Sequence, residues 1–147
     1  MTEPKGVGNT GFITDVDVRT WLRDLDPEMN LLIKDLEFKP EEIRAAQTLT
    51  VDFWNEEPPS ISIVYYDLYQ FPYRRQLLMG TVAQLLFIAA NRFRRNDLTY
   101  QIGGGAINDQ AKATPYEAAA EKLWKDYIDW VRRKKREINQ SIGWSMI

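Results

Sequence analysis

Carboxylates are the most numerous ionisable side chains of this sequence, and several of them occur in close pairs. The pairs are Asp15 and Asp17, Asp24 and Asp26, Glu41 and Glu42, and Glu56 and Glu57. General acid–base catalysis needs two carboxylates in different environments, whereas these pairs lie at predicted helix starts and in loops, where capping accounts for them. The chain has no histidine and no cysteine, so the commonest general base and the thiolate metal ligands are also missing. We therefore predict no catalytic, cofactor-binding or metal-binding residues.

A run of three glycines, Gly103–Gly105, could in principle cradle a phosphate group. Nucleotide-binding loops place their glycines between a strand and the start of a helix. Here nine residues separate Gly105 from Pro115, where the last helix is predicted to start. Because glycine is also the usual residue of tight turns, we predict a short β-hairpin in which Leu98–Ile102 and Ala106–Ile107 flank the glycines.

Two basic clusters occupy the second half of the chain. The first consists of Arg92, Arg94 and Arg95, and the second of Arg132, Arg133, Lys134, Lys135 and Arg136. Either cluster could contact nucleic-acid phosphates, but base recognition needs an element that enters a groove, and the sequence indicates none. Basic residues near helix C-termini also offset the helix dipole. A solvated or subunit-facing role is the first interpretation, and contact with the DNA backbone is the alternative.

Charge is distributed unevenly along the chain, although the formal net charge is only −2. Residues 1–72 carry 6 Lys and Arg against 14 Asp and Glu, whereas residues 73–147 carry 13 against 7. Such asymmetry could steer one part of a subunit onto the opposite part of a neighbour. Alternatively, the two halves pack in one domain and their charges pair or are solvated.

The longest apolar stretch indicates a helix that begins at Pro72 and ends near Arg95, followed by Asn96 and Asp97. Hydrophobic residues cover nearly all of its circumference along Leu77–Ala90, so other elements must surround it. The run is too short to span a bilayer, which takes roughly 20 residues. We therefore predict a buried helix at the centre of the fold and no membrane association.

Local start and stop signals predict three further helices. Each opens at a capping residue or a proline, and each ends near a proline or glycine that disfavours its continuation. They are Asp15–Leu25 behind a capping box of Thr14 and Asp17, a helix from Pro40 to the Pro58-Pro59 pair, and Pro115–Gln140 with Thr114 as its cap and Gly143 as its stop.

The predicted fold class is mainly α: a small helical bundle around a central apolar helix, with a short β-hairpin and extended N- and C-terminal arms. Residues 1–13 are predicted to be a flexible, glycine-rich arm, residues 14–142 the helical domain, and residues 143–147 a tail. The tail consists of Gly143, Trp144, Ser145, Met146 and Ile147. It could fold back onto its own core, or it could insert into a partner, since Trp is enriched among binding hot spots.

A set of residues spread over about residues 14–147 has an order and spacing typical of one known group of proteins. The set comprises Phe38, Pro40, Glu41, Glu42 and Ile43; Asp52, Trp54, Asn55, Glu56, Pro58 and Pro59; Phe71, Pro72 and Tyr73; Leu77, Leu78 and Gly80; Arg95, Asn96, Leu98 and Tyr100; the loop Gly103–Gly105; and Lys112, Tyr116, Trp130, Lys135 and Asn139. Taken together, it resembles the head–tail connector (adaptor or neck) proteins of tailed bacteriophages. The whole set carries the resemblance, and no single motif in it is specific.

The resemblance implies a structural protein of the virion rather than an enzyme, made in the host cytoplasm and located at the head–tail junction. Such adaptors form a ring, commonly twelve-fold, that joins the portal to the next neck or tail protein, a stopper or terminator, and leaves a channel for DNA. The residues implied to dock onto the portal are Gly143, Trp144, Ser145, Met146 and Ile147. Those implied to meet a neighbouring subunit or the channel are Arg95, Asn96, Gly103, Gly104 and Gly105.

A small helical nucleic-acid-binding regulatory protein remains the alternative function. In that case the two basic clusters would contact the DNA backbone, and the affinity would fall steeply with salt.

Overall fold

The structure, a computed structural model, describes residues 13–24, 37–58, 65–103 and 110–145. These ranges contain four helices and no strand, which confirms the mainly α prediction. The helices are α1 (Asp15–Leu22), α2 (Pro40–Glu56), α3 (Arg74–Gly103) and α4 (Gln110–Ser145).

The capping box predicted at the start of α1 is confirmed. The Thr14 hydroxyl accepts a hydrogen bond from the Asp17 main-chain N–H (3.3 Å), and the Asp17 carboxylate accepts one from the Thr14 N–H (2.9 Å). The helix ends earlier than the predicted Leu25, because Arg23 adopts a left-handed conformation (φ 56°) that terminates it.

Helix α2 begins at Pro40 as predicted and ends just before Pro58. Proline suits the first helical position, where its missing N–H would have no partner in any case. At the other end the helix cannot continue easily, because the residue before a proline disfavours the helical conformation. Both boundaries are therefore set by residues next to them in sequence.

Helix α3 is longer than predicted, and the predicted β-hairpin is wrong in its first strand. The helix passes through Asn96 and Asp97 and ends at Gly103, so Leu98–Ile102 are helical. Asn and Asp lower helix propensity only modestly, and packing overrides a preference of that size. Residues 104–109, with the second predicted strand, lie outside the described residues.

Helix α4 also exceeds its predicted bounds at both ends. It begins at Gln110, so Thr114 and Pro115 are not its start, and Pro115 lies inside the helix. It continues through Gly143 to Ser145. Pro115 is the sixth residue of the helix, where the lost hydrogen bond and the clash of its ring with the preceding turn cost about 3 kcal/mol that packing must outweigh. A glycine costs a helix only about 1 kcal/mol relative to alanine.

The bundle is assembled on α3, which packs against each of the other three helices. Four consecutive residues of α3, Gly80–Ala83, are buried. Helices α3 and α4 are antiparallel, since Phe93 contacts Tyr116 near one end and Tyr73 contacts Trp130 near the other. Ile13, the last residue of the predicted flexible arm, is fully buried and belongs to the core.

Candidate functional site

An aromatic cluster centred on Trp54 joins α2, the segment before α3, and α4. The Trp54 ring centroid lies 5.8 Å from that of Phe71, 5.2 Å from Tyr73 and 5.4 Å from Trp130. The Nζ atom of Lys135 lies 5.2 Å from the same ring. We call these five residues the Trp54 cluster. All five belong to the set that carries the connector resemblance, although they are far apart in sequence.

A second contact brings three helices together at Thr50 of α2. Gly80 of α3 lies directly against the Thr50 side chain, and a Cβ atom at Gly80 would collide with it. The Tyr127 hydroxyl of α4 donates a hydrogen bond to the Thr50 carbonyl oxygen (2.6 Å). Burial raises the pKa of Tyr127, so its hydroxyl remains a donor at any physiological pH.

Lys135 is not the exposed contact residue that the sequence predicts. Only 2 % of it is exposed, and its ammonium group donates a hydrogen bond to the Glu57 carbonyl oxygen at the end of α2. Burial lowers the pKa of Lys135, and the nearby Glu57 carboxylate partly opposes that shift. Helical spacing from Tyr127 and Val131, both buried, could have signalled this position.

The rest of the second basic cluster is divided between internal contacts and solvent. Arg132 forms an exposed ion pair with Glu57 (2.7 Å), and Lys134 lies over the Tyr73 ring, 5.8 Å from its centroid. Arg133 and Arg136 are exposed and have no ion-pair partner among the described residues. The run of five basic residues is therefore not one continuous surface.

Two arginines of the first basic cluster form ion pairs between helices of the bundle. Arg92 donates to the Glu42 carboxylate (3.1 Å), and Arg94 forms a two-pronged pair with Glu117 of α4. Glu117 therefore joins α4 to an arginine on α3. Because both side chains are paired with carboxylates, Arg92 and Arg94 attract DNA phosphates less strongly than unpaired arginines would.

Of the residues predicted to contact a neighbour or the channel, the three that the structure describes are helical. Arg95 and Asn96 lie within α3, Gly103 is its last residue, and Gly104 and Gly105 are outside the described residues.

The predicted docking tail begins inside α4. Gly143, Trp144 and Ser145 continue the helix, so the extended arm is wrong for these residues, while Met146 and Ile147 lie outside the described range. Tyr73, next to the start of α3, is level with Trp130 and Lys134. Past that level α4 continues from Lys135 to Ser145, about 16 Å of helix, of which the first part still packs on the subunit, since Lys135 is buried and Ile138 contacts the core. We call this part, residues 135–145, the α4 extension.

The two oppositely charged halves of the chain pair within one subunit. Three ion pairs join a carboxylate from residues 1–72 to an arginine from residues 73–147. They are Asp17 with Arg74 (2.9 Å), Glu42 with Arg92 (3.1 Å) and Glu57 with Arg132 (2.7 Å). The sequence left internal pairing open as an alternative to steering between subunits. Three carboxylates of the acidic half are paired in this way.

Asp24 is the structural residue that sequence reasoning missed. Its carboxylate is buried and accepts hydrogen bonds from Arg19 (2.8 Å) and from the main-chain N–H groups of Glu37 (2.6 Å) and Phe38 (3.0 Å). It thereby ties the end of α1 to the start of α2. Its main-chain partners lie 13 and 14 residues away, so no local pattern could have identified them.

Neither a metal-binding group of side chains nor a membrane-spanning helix is found within the ranges that the structure describes. Across these ranges, His, Cys, Asp and Glu side chains form no group of three that could hold a metal ion. None of the helices, as far as they are described, combines the length and the apolar character needed to cross a membrane.

No protein-family model matches this chain, and comparisons with curated proteins and solved structures find no significant similarity. Its function is therefore inferred from its own residues and geometry.

Proposed function

We propose that this chain is a structural protein of a phage virion, a head-to-tail adaptor that forms a ring beneath the portal. The observation that carries the proposal is the Trp54 cluster. Five residues of the connector-like set come from three separate parts of the chain, α2, the segment before α3, and α4, and meet around one indole ring. If the set is a family signature, this meeting point is the part of the scaffold that it specifies.

Further members of the same set have scaffold roles, which supports a structural function. Phe38, Ile43 and Leu77 are buried in the core. The Asn55 side chain exchanges two hydrogen bonds with the main chain of Tyr66 (2.8 and 2.9 Å), which positions the segment leading to Phe71. In this proposal α3 is the central strut of the subunit, and the set specifies the scaffold around it.

The α4 extension is the element proposed to reach the portal. Gln140 and Ser141 are exposed, and the helix continues beyond them to Ser145. A preformed helix loses less conformational entropy on docking than an unstructured tail does. The proposed docking element is therefore a helical end carrying Gly143–Ile147.

Contacts between subunits are proposed to use large apolar side chains that one subunit leaves exposed. Val16 and Trp21 of α1 and Leu49 of α2 are 62 %, 59 % and 51 % exposed. Exposed aromatic and aliphatic groups of this size are typical of interfaces. Twelve subunits in a head-to-tail ring, with the portal on one side and a stopper or terminator on the other, would leave a channel through which DNA passes without sequence recognition.

The nucleic-acid-binding alternative has less support. Lys135 is buried, and Arg92, Arg94 and Arg132 each bind a carboxylate of the same subunit, so the two clusters are not a set of unpaired basic side chains.

Co-purification with the portal protein of the same phage tests the proposal. We expect the full chain to bind the portal and a variant lacking Gly143–Ile147 to lose binding. The helical circular dichroism of the variant should be retained, because the deletion lies beyond the start of α3. Undiminished portal binding by the truncated chain would contradict the docking role.

A further inference from the structure

A surface cavity of about 280 Å³ opens where α3 begins, beside α4. It is lined by Tyr73, Arg74, Arg75, Gln76, Trp130 and Lys134. Three of these side chains are cationic, and none of the described residues in its wall is acidic. Like charges gathered around one concave surface repel each other unless an anion lies between them.

The three cations keep hydrogen-bonding capacity for a ligand. Arg74 uses one nitrogen, Nη2, to bind Asp17 (2.9 Å), which leaves its other donors available. Lys134 lies 3.8 Å from the exposed Glu137 carboxylate, at the limit of an ion pair. Arg75 is exposed and, within the described ranges, has no ion-pair partner.

The aromatic wall of the cavity is held in place by the Trp54 cluster. Tyr73 and Trp130 pack edge to face with their ring centroids 5.0 Å apart, and both contact Trp54. Lys134 is held over the Tyr73 ring. The wall and one of the cations are therefore positioned before any ligand arrives, which reduces the entropic cost of binding.

We propose that this cavity binds a phosphate group, either free or carried on a nucleic-acid backbone. Two guanidinium groups and one ammonium group can donate to several oxygens of a tetrahedral anion, whereas a carboxylate offers only two oxygens. Asp17 pairs with Arg74 and Glu137 lies near Lys134, so among the three cations Arg75 has no carboxylate partner within the described ranges. The site lies within a single subunit and does not depend on ring formation.

Calorimetric titration of the full chain with inorganic phosphate, against sodium chloride of equal ionic strength, tests the site. Arg75→Gln is the primary variant, because Arg75 supports no ion pair of the fold. Arg133→Gln removes an equally exposed arginine of α4 outside the cavity and is the matched control. Loss of a charged hydrogen bond should weaken phosphate binding about tenfold in Arg75→Gln, while Arg133→Gln stays close to the unmodified chain.

A parallel titration with a short oligothymidylate separates the two sources of phosphate. Binding of the oligonucleotide alone, again weakened by Arg75→Gln and not by Arg133→Gln, would assign the site to backbone phosphates. Lys134→Gln should reproduce the loss, and thermal melting identifies any variant that fails to fold. The proposal would be overturned if neither phosphate nor the oligonucleotide bound. It would also be overturned if Arg75→Gln and Arg133→Gln lost the same amount of affinity.

Discussion

Gly80 allows α2 and α3 to approach each other as closely as they do. Thr50 is β-branched, fully buried, and held by a hydrogen bond from its hydroxyl to the Ala46 carbonyl oxygen (2.8 Å). Its side chain therefore has little freedom to rotate away from a new methyl group.

We predict that Gly80→Ala destabilises the protein by about 1–3 kcal/mol, because overpacking outweighs the gain in helix propensity. Urea unfolding measures the change. Thr50→Ser removes the methyl group that the new Cβ would meet, so it should recover part of the loss in the double variant. Additive effects of the two substitutions would show that the contact does not limit the packing.

The Glu37 carboxyl predicts a pH-dependent contribution to stability. Burial raises its pKa above the ordinary 4.5; Arg92 opposes the shift, and the carboxylates of Asp24 and Glu42 add to it. The folded chain then retains a proton that the unfolded chain releases. This contribution is therefore complete below pH 4.5 and is lost as the pH rises through the folded-state pKa.

Glu37→Gln should accordingly stabilise the protein at pH 7 and have little effect at pH 4, where Glu37 is protonated. Urea unfolding at both pH values measures this difference. Glu41→Gln, at an exposed position of the same helix start, should show no such gain at pH 7. Equal effects of Glu37→Gln at the two pH values would contradict the assigned cause.

At the scale of the secondary-structure elements, the Asp24 carboxylate joins α1 to α2. It accepts two main-chain hydrogen bonds at the start of α2 and neutralises the buried Arg19. Breaking a buried pair by removing one charge leaves the other uncompensated, which costs more than an exposed pair is worth.

We predict that Asp24→Asn lowers the free energy of unfolding by about 3 kcal/mol. Asp15→Asn, at an exposed position in the first turn of α1, should cost less than about 1 kcal/mol. Chemical denaturation of both variants tests this expectation. Similar losses of unfolding free energy in the two variants would contradict the role assigned to Asp24.

The helix boundaries show what the sequence could and could not predict. Both ends of α2 were predicted because Pro40 and Pro58 act locally. The ends of α3 and α4 were misjudged because packing outweighs the local costs of Asn96, Pro115 and Gly143, which range from small for asparagine to about 3 kcal/mol for proline. The Trp54 cluster could not be predicted at all, since its members approach one another only once the chain has folded.

For the whole molecule, the uneven charge of the two halves of the chain is weak evidence for assembly, because part of it is paired inside one subunit. Asp17, Glu42 and Glu57 are each paired with an arginine of the other half of the same chain. In our account, contacts between subunits therefore depend more on exposed apolar groups such as Trp21, and contact with the portal on the α4 extension.

Electron microscopy of the protein mixed with the purified portal tests the connector function most directly. The account predicts an added ring of density beneath the portal, with twelve-fold symmetry around an open channel. Portal particles that remain unchanged in the presence of excess folded protein would contradict it.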